Sequence, residues 1–281
     1  MEKIKIGLAL GAGGARGMCH VGVLQALEEN GITPDLITGS SMGAVIGGAY
    51  ASGLDVEHIM ALTRSVNNHL IRDLHIRLKQ LGIFKGRRVE KLFNRHIGDA
   101  TFEDCKIPFA CTAVDVESGK LKLFTEGHLW KAIRASMSIP VAFQPVEIDG
   151  RLYMDGGVLC RIPIAQIREM GADVVIAVDA LGSLSSGKRP NGILDMALRF
   201  YDILDWAYSR HRLQGADIML TPSVERSIMD FQKVRPVIDA GYQCTMDQMT
   251  EIKKAVAAAE EKKLSEAAAK AAEDATNSAQ L

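Results

Sequence analysis

The chain has 281 residues, of which 47% are hydrophobic and 24% charged, so it can bury the core of one large or two small globular domains. Its 33 basic and 34 acidic residues give a formal charge of −1, which argues against nucleic acid as a partner because that binding needs a basic surface. No signal-peptide pattern and no run of about 18 apolar residues occurs, and five scattered cysteines are typical of free thiols. We therefore expect a cytoplasmic protein without a cofactor or a metal site.

The first forty residues predict a β-α-β unit with parallel strands and a right-handed crossover. A strand over 3–10 leads into the glycine-rich segment G-A-G-G-A-R-G at 11–17, and a helix over 18–30 follows. A dinucleotide-binding frame starting at Gly11 would need a third glycine where Arg16 stands and an acidic residue after the second strand, and both are missing. The segment is better explained as a loop of backbone N–H groups that stabilises an anion, although a turn needed only for packing is the alternative.

The second strand ends in the motif G-S-S-M-G at 39–43, which fits the G-x-S-x-G pattern with Ser41 at its centre. An apolar run precedes it and a small-residue helical stretch over 44–51 follows, which is the strand, sharp turn and helix of a nucleophile elbow. Such a turn strains the serine backbone, so Gly39 and Gly43 supply the small neighbours that it requires. An ordinary glycine-serine turn is the alternative.

The middle of the chain alternates helices and strands. The basic segment 67–84 is interpreted as a cap over the site, with a solvated helix face as the equal alternative. The other expected elements are helices over 55–66, 89–96 and 128–135, and a hairpin of strands over 107–116 and 120–124.

A second hairpin, with strands over 146–148 and 151–154, turns at Asp149-Gly150 and delivers Asp155 at its end. Gly156 and Gly157 follow, so the carboxylate stands on a rigid arm with open space beside it, as a general base requires. A plain turn aspartate is the alternative.

The last third contains strands over 173–179 and 217–220, a loop over 181–192 and helical sequence from 237 onward. The helix over 193–210 is apolar nearly all round, which indicates a buried helix by default and otherwise a dimer interface or a lipid surface. Residues 257–281 are rich in Ala, Glu and Lys and predict a helical or disordered tail beyond a domain over 1–256.

Activation of Ser41 normally calls for a histidine, yet only His211 lies beyond Asp155 in the chain order of the α/β-hydrolases. It stands between two arginines, which would disfavour the imidazolium that catalysis forms, and His20 on the first helix is expected to be structural. We therefore expect Asp155 to activate Ser41 directly, in a desolvated site that raises its pKa.

Together these stretches resemble the patatin-like phospholipase family over roughly residues 4–220. Four parts occur in the family's order: the glycine-rich loop at 13–17, the serine motif at 39–43, the S-I-P segment at 138–140 and D-G-G at 155–157. The resemblance implies an α/β fold of three layers (α/β/α) with a mainly parallel central sheet. It also implies a Ser–Asp dyad without histidine and hydrolysis of acyl esters, often in lipids.

Carried over by motif, the resemblance implies that Ser41 is the nucleophile and Asp155 the base. It also implies that the Arg16 side chain shapes the glycine-rich loop. The backbone that forms the oxyanion hole would belong to Gly13, Gly14, Ala15, Arg16, Gly17 and Met42. The geometry of the turns would rest on the motif glycines: Gly11, Gly39, Gly43, Gly156 and Gly157. Two departures are present, because Ala12 stands where the family often has glycine and Cys160-Arg161 replaces its usual Asn-Pro.

The function expected from these features is a serine acyl-ester hydrolase of the phospholipase A type, with a lipid or fatty-acyl ester as substrate. Contact with the inner face of a membrane and a homo-oligomer are compatible with the sequence. One alternative is a regulatory or interaction protein on the same fold with little turnover, suggested by the tail and the apolar helix. Another is a thioesterase or small-ester carboxylesterase, which differs only in substrate.

Overall fold

The computed structural model describes residues 3–65, 81–182, 189–209, 214–224 and 227–278. The strands in this part of the chain are β1 (Ile6–Leu10), β2 (Leu36–Ser40), β3 (Gly82–Phe84), β4 (Phe109–Asp115), β5 (Leu121–Phe124), β6 (Val141–Phe143), β7 (Val146–Ile148), β8 (Arg151–Asp155), β9 (Val174–Val178) and β10 (Ile218–Leu220). The α-helices described are α1 (Cys19–Glu29), α2 (Met42–Ala51), α3 (Val56–Ser65), α4 (Arg87–Ile97), α5 (Leu129–Ser136), α6 (Ile164–Glu169), α7 (Ile193–Ser209), α8 (Arg235–Asp247) and α9 (Met249–Ser278). Short 3₁₀ turns occupy Gly14–Met18, Phe102–Asp104 and Gly156–Val158.

Eight of these strands form one mixed sheet in the order β10-β9-β1-β2-β4-β8-β7, with β5 paired to β4. The five strands from β10 to β4 are mutually parallel, whereas β5, β7 and β8 pair in antiparallel fashion. Strands β3 and β6 form a separate parallel pair. The predicted α/β architecture with a mainly parallel sheet is confirmed, and the two hairpins supply its antiparallel part.

The sheet is buried on both faces because alternate residues of its central strands enter different cores. In β1, Leu8 and Leu10 belong to the larger core, and Ala9 between them belongs to a smaller one. The larger core includes side chains of α1, α2, α5 and α8, and the smaller one includes Ile164 and Ile167 of α6. Helices therefore cover both faces, which gives the predicted three layers.

The expected helices and strands are confirmed to within a few residues at each end. The turn between β7 and β8 is tight, with positive φ at Asp149 and Gly150. All five cysteines are free thiols. The predicted cap over 67–84 lies outside the described residues except for its end, where 82–84 form β3. Much of the loop predicted over 181–192 also lies outside them, as does His211.

The default expectation of a buried helix over 193–210 is wrong for one face of α7. Ile193 is 87% exposed and Phe200 61% exposed. The opposite face packs against β6 and the Gly156–Val158 turn. The uniform hydrophobicity of the sequence did not indicate which side chains would face outward.

Helix α9 runs through the expected domain boundary at 256 without a break. Its first turns carry buried Met249 and Ile252, and further along the Lys263 ammonium group donates to the Asp173 carboxylate at 3.1 Å. The helical alternative for residues 257–278 is therefore the one observed. The division into 1–256 and a tail stays a prediction.

Candidate active site

The proposed catalytic residues lie where two strands meet end to end. Along one edge of β4, the partner of Thr112 is Ser40, the last residue of β2, and the partner of Ala113 is Asp155, the last residue of β8. Because β2 is parallel and β8 antiparallel to β4, their carboxyl ends face each other. This register brings Ser41, the residue after β2, to the carboxylate of Asp155.

Ser41 has the strained backbone expected of a nucleophile elbow, with φ 52° and ψ −119°. A Cβ at Gly39 would lie 2.5 Å from the Cα of Ala44, and one at Gly43 would overlap the Leu10 carbonyl. Helix α2 can therefore start directly on the sheet only with glycine at both positions. The Ser41 amide donates to Ser136 Oγ at 2.9 Å, which holds the turn from the side of α5.

Ser41 and Asp155 form a short, buried hydrogen bond. Ser41 Oγ donates to Asp155 Oδ2 at 2.6 Å, and the Gly157 amide donates to Asp155 Oδ1 at 2.7 Å. The Asp155 amide donates in turn to the Ser138 carbonyl at 3.0 Å. Both carboxylate oxygens and the backbone of Asp155 are thus fixed, with Asp155 1% and Ser41 4% exposed.

Burial raises the pKa of Asp155 to about 7. Hydrogen bonds from Ser41 and Gly157 lower the pKa in part, and the nearby Asp205 carboxylate raises it further. A carboxylate with a pKa near neutrality accepts a proton from a serine hydroxyl more readily than an ordinary aspartate does. This is the environment that the sequence argument requires for a base acting without histidine.

The glycine-rich loop presents backbone amides beside this pair. Among the hydrogen bonds of the described residues, the amides of Gly13, Gly14 and Met42 have no acceptor. The Ala15 amide donates to the Ile228 carbonyl, and the Arg16 amide donates to the Gly13 carbonyl. These three amides, of Gly13, Gly14 and Met42, can therefore donate to an oxyanion without breaking a bond.

Two side chains support this loop from behind. His20 Nε2 lies 2.8 Å from the Gly11 carbonyl, and burial lowers the pKa of His20 to about 4, so the neutral ring donates here. This agrees with the structural role expected for it. The buried Arg16 guanidinium donates to the Leu181 carbonyl. Burial lowers the pKa of Arg16, and the nearby Asp202 carboxylate offsets part of that decrease. The Arg16 side chain thus lies between the glycine-rich loop, the residue Leu181 after β9, and Asp202 on α7.

An apolar pocket opens beside Ser41, lined by α2, α3, α4 and the segment before α8. Among the described residues that line it, Ser41 and Thr63 are the ones with polar side chains, and the others include Val45, Ile46 and Phe93. Such an apolar lining can bind the hydrocarbon part of an acyl chain. Sequence reasoning did not find this pocket because its residues come from elements far apart along the chain.

Sequence reasoning also did not place Tyr201 or the partners of Arg161 at the site. Tyr201 on α7 brings its hydroxyl to 2.7 Å from the position of a Cβ on Gly157. Burial and the Asp155 and Asp205 charges raise the pKa of Tyr201, so it remains a hydrogen-bond donor. Arg161 donates to Asp179 at the end of β9 and to Asp205 on α7.

The contacts of Arg161 explain how the segment after D-G-G is held in this chain, where Cys160-Arg161 replaces the family's usual Asn-Pro. Its carbonyl accepts from the Ala12 amide at 2.8 Å, so its backbone holds the glycine-rich loop. Its guanidinium also donates to the Gly182 carbonyl at 2.7 Å. One buried residue therefore ties the glycine-rich loop to β9 and α7. The only earlier signal was the unusual Cys160-Arg161 sequence.

The described histidines are bonded away from Ser41. His58 and His128 pair with Asp55 and Asp99, and His96 Nδ1 lies 2.8 Å from the Leu92 carbonyl. In the same part of the chain, no cluster of three or more His, Cys, Asp or Glu side chains could hold a metal ion. Nor is any helix there long and apolar enough to cross a membrane.

Residues 8–167, which contain both Ser41 and Asp155, match the family model described as patatin-like phospholipase. The chain belongs to the patatin-like phospholipase family. The human GIVD cytosolic phospholipase A2, solved in complex with methyl gamma-linolenyl fluorophosphonate, shares the fold with a TM-score of 0.50 and 12% identity. That alignment covers 91% of this chain and 59% of the human one.

Curated relatives in this family are similar over part of their length. An uncharacterised NTE family protein of Mycobacterium tuberculosis is 40% identical over 179 residues, which are 64% of this chain and 50% of that protein. Lysophospholipase nte1 of Emericella nidulans is 31% identical over 204 residues, 71% of this chain and 13% of that protein. The chain thus spans about half, or much less, of the patatin-like relatives it matches.

Proposed function

We propose that this protein is a serine hydrolase of lipid acyl esters that uses Ser41 as nucleophile and Asp155 as general base. The observation that carries the proposal is the buried 2.6 Å hydrogen bond from Ser41 Oγ to Asp155 Oδ2, formed at the mouth of an apolar pocket. Family membership and the lysophospholipase name of a relative support a lipid ester as the substrate.

In the first half of the reaction, Ser41 Oγ attacks the ester carbonyl carbon while its proton passes to Asp155 Oδ2. The carbonyl oxygen takes the negative charge, and the amides of Gly13, Gly14 and Met42 donate to it. The bond to the alcohol then breaks, and Asp155 returns the proton to the departing oxygen. The products are the free alcohol and an acyl ester on Ser41.

In the second half, water attacks the acyl carbonyl and gives a proton to Asp155. The tetrahedral intermediate collapses, the bond to Ser41 Oγ breaks, and the proton moves from Asp155 to that oxygen. A fatty acid leaves and the enzyme is restored. Asp155 takes up and releases one proton in each half, so a pKa near neutrality suits both directions of transfer.

The pocket beside Ser41 favours a long acyl chain over a short one. Each buried methylene contributes about 0.8 kcal/mol of transfer free energy, so a pocket whose described lining carries no charged side chain rewards chain length. A thioester or a small soluble ester would use the same dyad but gain less from this surface. We therefore expect oxygen esters of long fatty acids to be the best substrates.

The test is hydrolysis of nitrophenyl esters of increasing chain length, and of lysophospholipids, by the wild type and three variants. Ser41→Ala and Asp155→Asn should each lower kcat by about 10³-fold or more. Ser40→Ala is the matched control, because Ser40 is a buried serine in the same motif that bears no catalytic role, and it should remain active. Activity retained in Ser41→Ala would overturn the proposal, and a preference for thioesters would redirect its substrate.

A further inference from the structure

Helix α7 has the reverse of the polarity expected for a helix at a water-facing surface. A surface helix normally turns its charged residues outward and its apolar residues inward. Here the Asp205 carboxylate is buried against Arg161, and Asp202 lies near the buried Arg16. The outward face instead carries six exposed large apolar side chains, called the α7 stripe: Ile193, Met196, Phe200, Ile203, Leu204 and Tyr208.

The α7 stripe is continuous along the helix. At 100° per residue its six members fall within an arc of about 140°, and from Ile193 to Tyr208 they extend for about 22 Å. The other residues in that arc are Ala197 and Ala207, so no charge interrupts the apolar surface. Water contacts this strip unless another apolar phase covers it.

The stripe lies on the outer side of an element that borders the proposed catalytic pair. The Tyr201 hydroxyl of the same helix reaches Gly157, next to Asp155. Helix α7 also packs against β6 and the Gly156–Val158 turn, where Val141 and Leu159 add exposed apolar surface at these neighbouring elements. Exposed apolar groups therefore occur on α7, in β6 and directly after the Gly156–Val158 turn.

We propose that the α7 stripe docks the protein on the surface of a lipid aggregate, a bilayer or a micelle, that contains the ester substrate. The size of the stripe favours this occupant over a second copy of the chain, because stable dimers use about 20–30 residues a side whereas the stripe has six. A single apolar helix face is sufficient for an interfacial helix that sinks into the headgroup region. This inference rests on the proposed function for the identity of the substrate.

Binding is tested apart from turnover by sedimentation with phosphatidylcholine vesicles, without and with phosphatidylglycerol, using Ser41→Ala as the parent protein. Adding Met196→Glu and Phe200→Glu together should lower the vesicle partition coefficient at least about tenfold, since each apolar side chain withdrawn from lipid is worth at least that factor. The matched control is Leu264→Glu, at an exposed apolar position on α9, which should bind like the parent.

The same substitutions in the active protein should leave hydrolysis of a monomeric short-chain ester unchanged and reduce hydrolysis of vesicle lipid. Vesicle partition equal to the parent in the double variant, or no partition of the parent, would overturn docking. A dimer that the double variant dissociates, with vesicle partition unchanged, would assign the stripe to self-association and also overturn it. Hydrolysis of the soluble ester without vesicle binding would overturn the docking proposal and leave the proposed function standing. Vesicle binding without any hydrolysis would overturn the proposed function and leave the docking proposal standing.

Discussion

Arg161 donates through Nη1 to the Asp205 carboxylate at 2.8 Å, and this pair of largely buried side chains joins the segment after the D-G-G motif to α7. The same guanidinium is bonded to Asp179. Three charged side chains thus share one buried site between the glycine-rich loop, β9 and α7. A buried arrangement of this kind tolerates loss of one member poorly, because the remaining charges are left without a partner.

Arg161→Leu should therefore lower the free energy of unfolding by about 3–5 kcal/mol. Chemical denaturation followed by circular dichroism measures this loss. Arg235→Leu, which breaks the exposed Arg235–Asp239 pair, is the control and should have little effect. A variant at Arg161 that is as stable as the Arg235 variant would show that the buried charges do not depend on this arginine.

Gly43→Ala should be strongly destabilising, or fail to fold, because its methyl group would overlap the backbone of Leu10. Backbone atoms of a central strand cannot move aside as a side chain can. Gly47→Ala in the same helix is the comparison, since its methyl group meets the Ile37 and Leu10 side chains, and we expect a loss of about 1–3 kcal/mol there. Thermal melts of the two variants should rank them clearly, and equal stability would contradict the close approach of α2 to β1.

The activity of the wild type should depend on the ionisation of Asp155. Its base form is required for attack, so kcat/KM on a soluble ester should rise about tenfold per pH unit below pH 7 and level off above it. Burial of the carboxyl group is the main cause of this high midpoint. A profile that levels off near pH 4 would contradict a desolvated Asp155 as the base.

The contribution of Asp155 to the free energy of unfolding should fall as the pH rises, whereas the activity rises. The pKa of Asp155 is about 7 in the folded protein, above its ordinary value of 3.8, so the folded state binds the extra proton between these values. The contribution of this group to stability is therefore present below about pH 4 and is lost as the pH rises to about 7. Each unit of the pKa difference corresponds to about 1.4 kcal/mol.

Asp155→Asn removes this titration, so the variant should be more stable than the wild type at pH 8, with the difference shrinking toward pH 4. Urea denaturation of both proteins at several pH values isolates the contribution, because all other titrating groups are common to the two. A difference in unfolding free energy that does not change with pH would mean that Asp155 keeps an ordinary pKa.

The sequence predicted the parts of this molecule that depend on neighbours in the chain. The strain at Ser41 follows from a strand running directly into a helix, and the two glycines beside it make that turn recognisable. The short β7–β8 hairpin likewise placed Asp155 at a strand end because Asp149-Gly150 admits few other turns. Both features rest on local backbone geometry, which sequence patterns report well.

What the sequence did not predict depends on contacts between distant residues. The orientation of α7 is set by Arg161 and Asp205, which are 44 residues apart, and an apolar helix gives no sign of which face such a pair will turn inward. The Tyr201 contact at Gly157 follows from the same docking. The sequence also did not predict that the Ala15 amide of the oxyanion loop already donates a hydrogen bond, because its acceptor is the carbonyl of the distant Ile228.

Covalent labelling of the folded protein with a fluorophosphonate, read by intact mass and peptide mapping, tests most directly whether Ser41 is a nucleophile activated by Asp155. We predict one adduct per chain, on Ser41, that is absent in Ser41→Ala, strongly slowed in Asp155→Asn and retained in Ser40→Ala. An adduct that persists in Ser41→Ala, or a folded wild type that takes no label, would contradict the assignment of Ser41 as a nucleophile activated by Asp155.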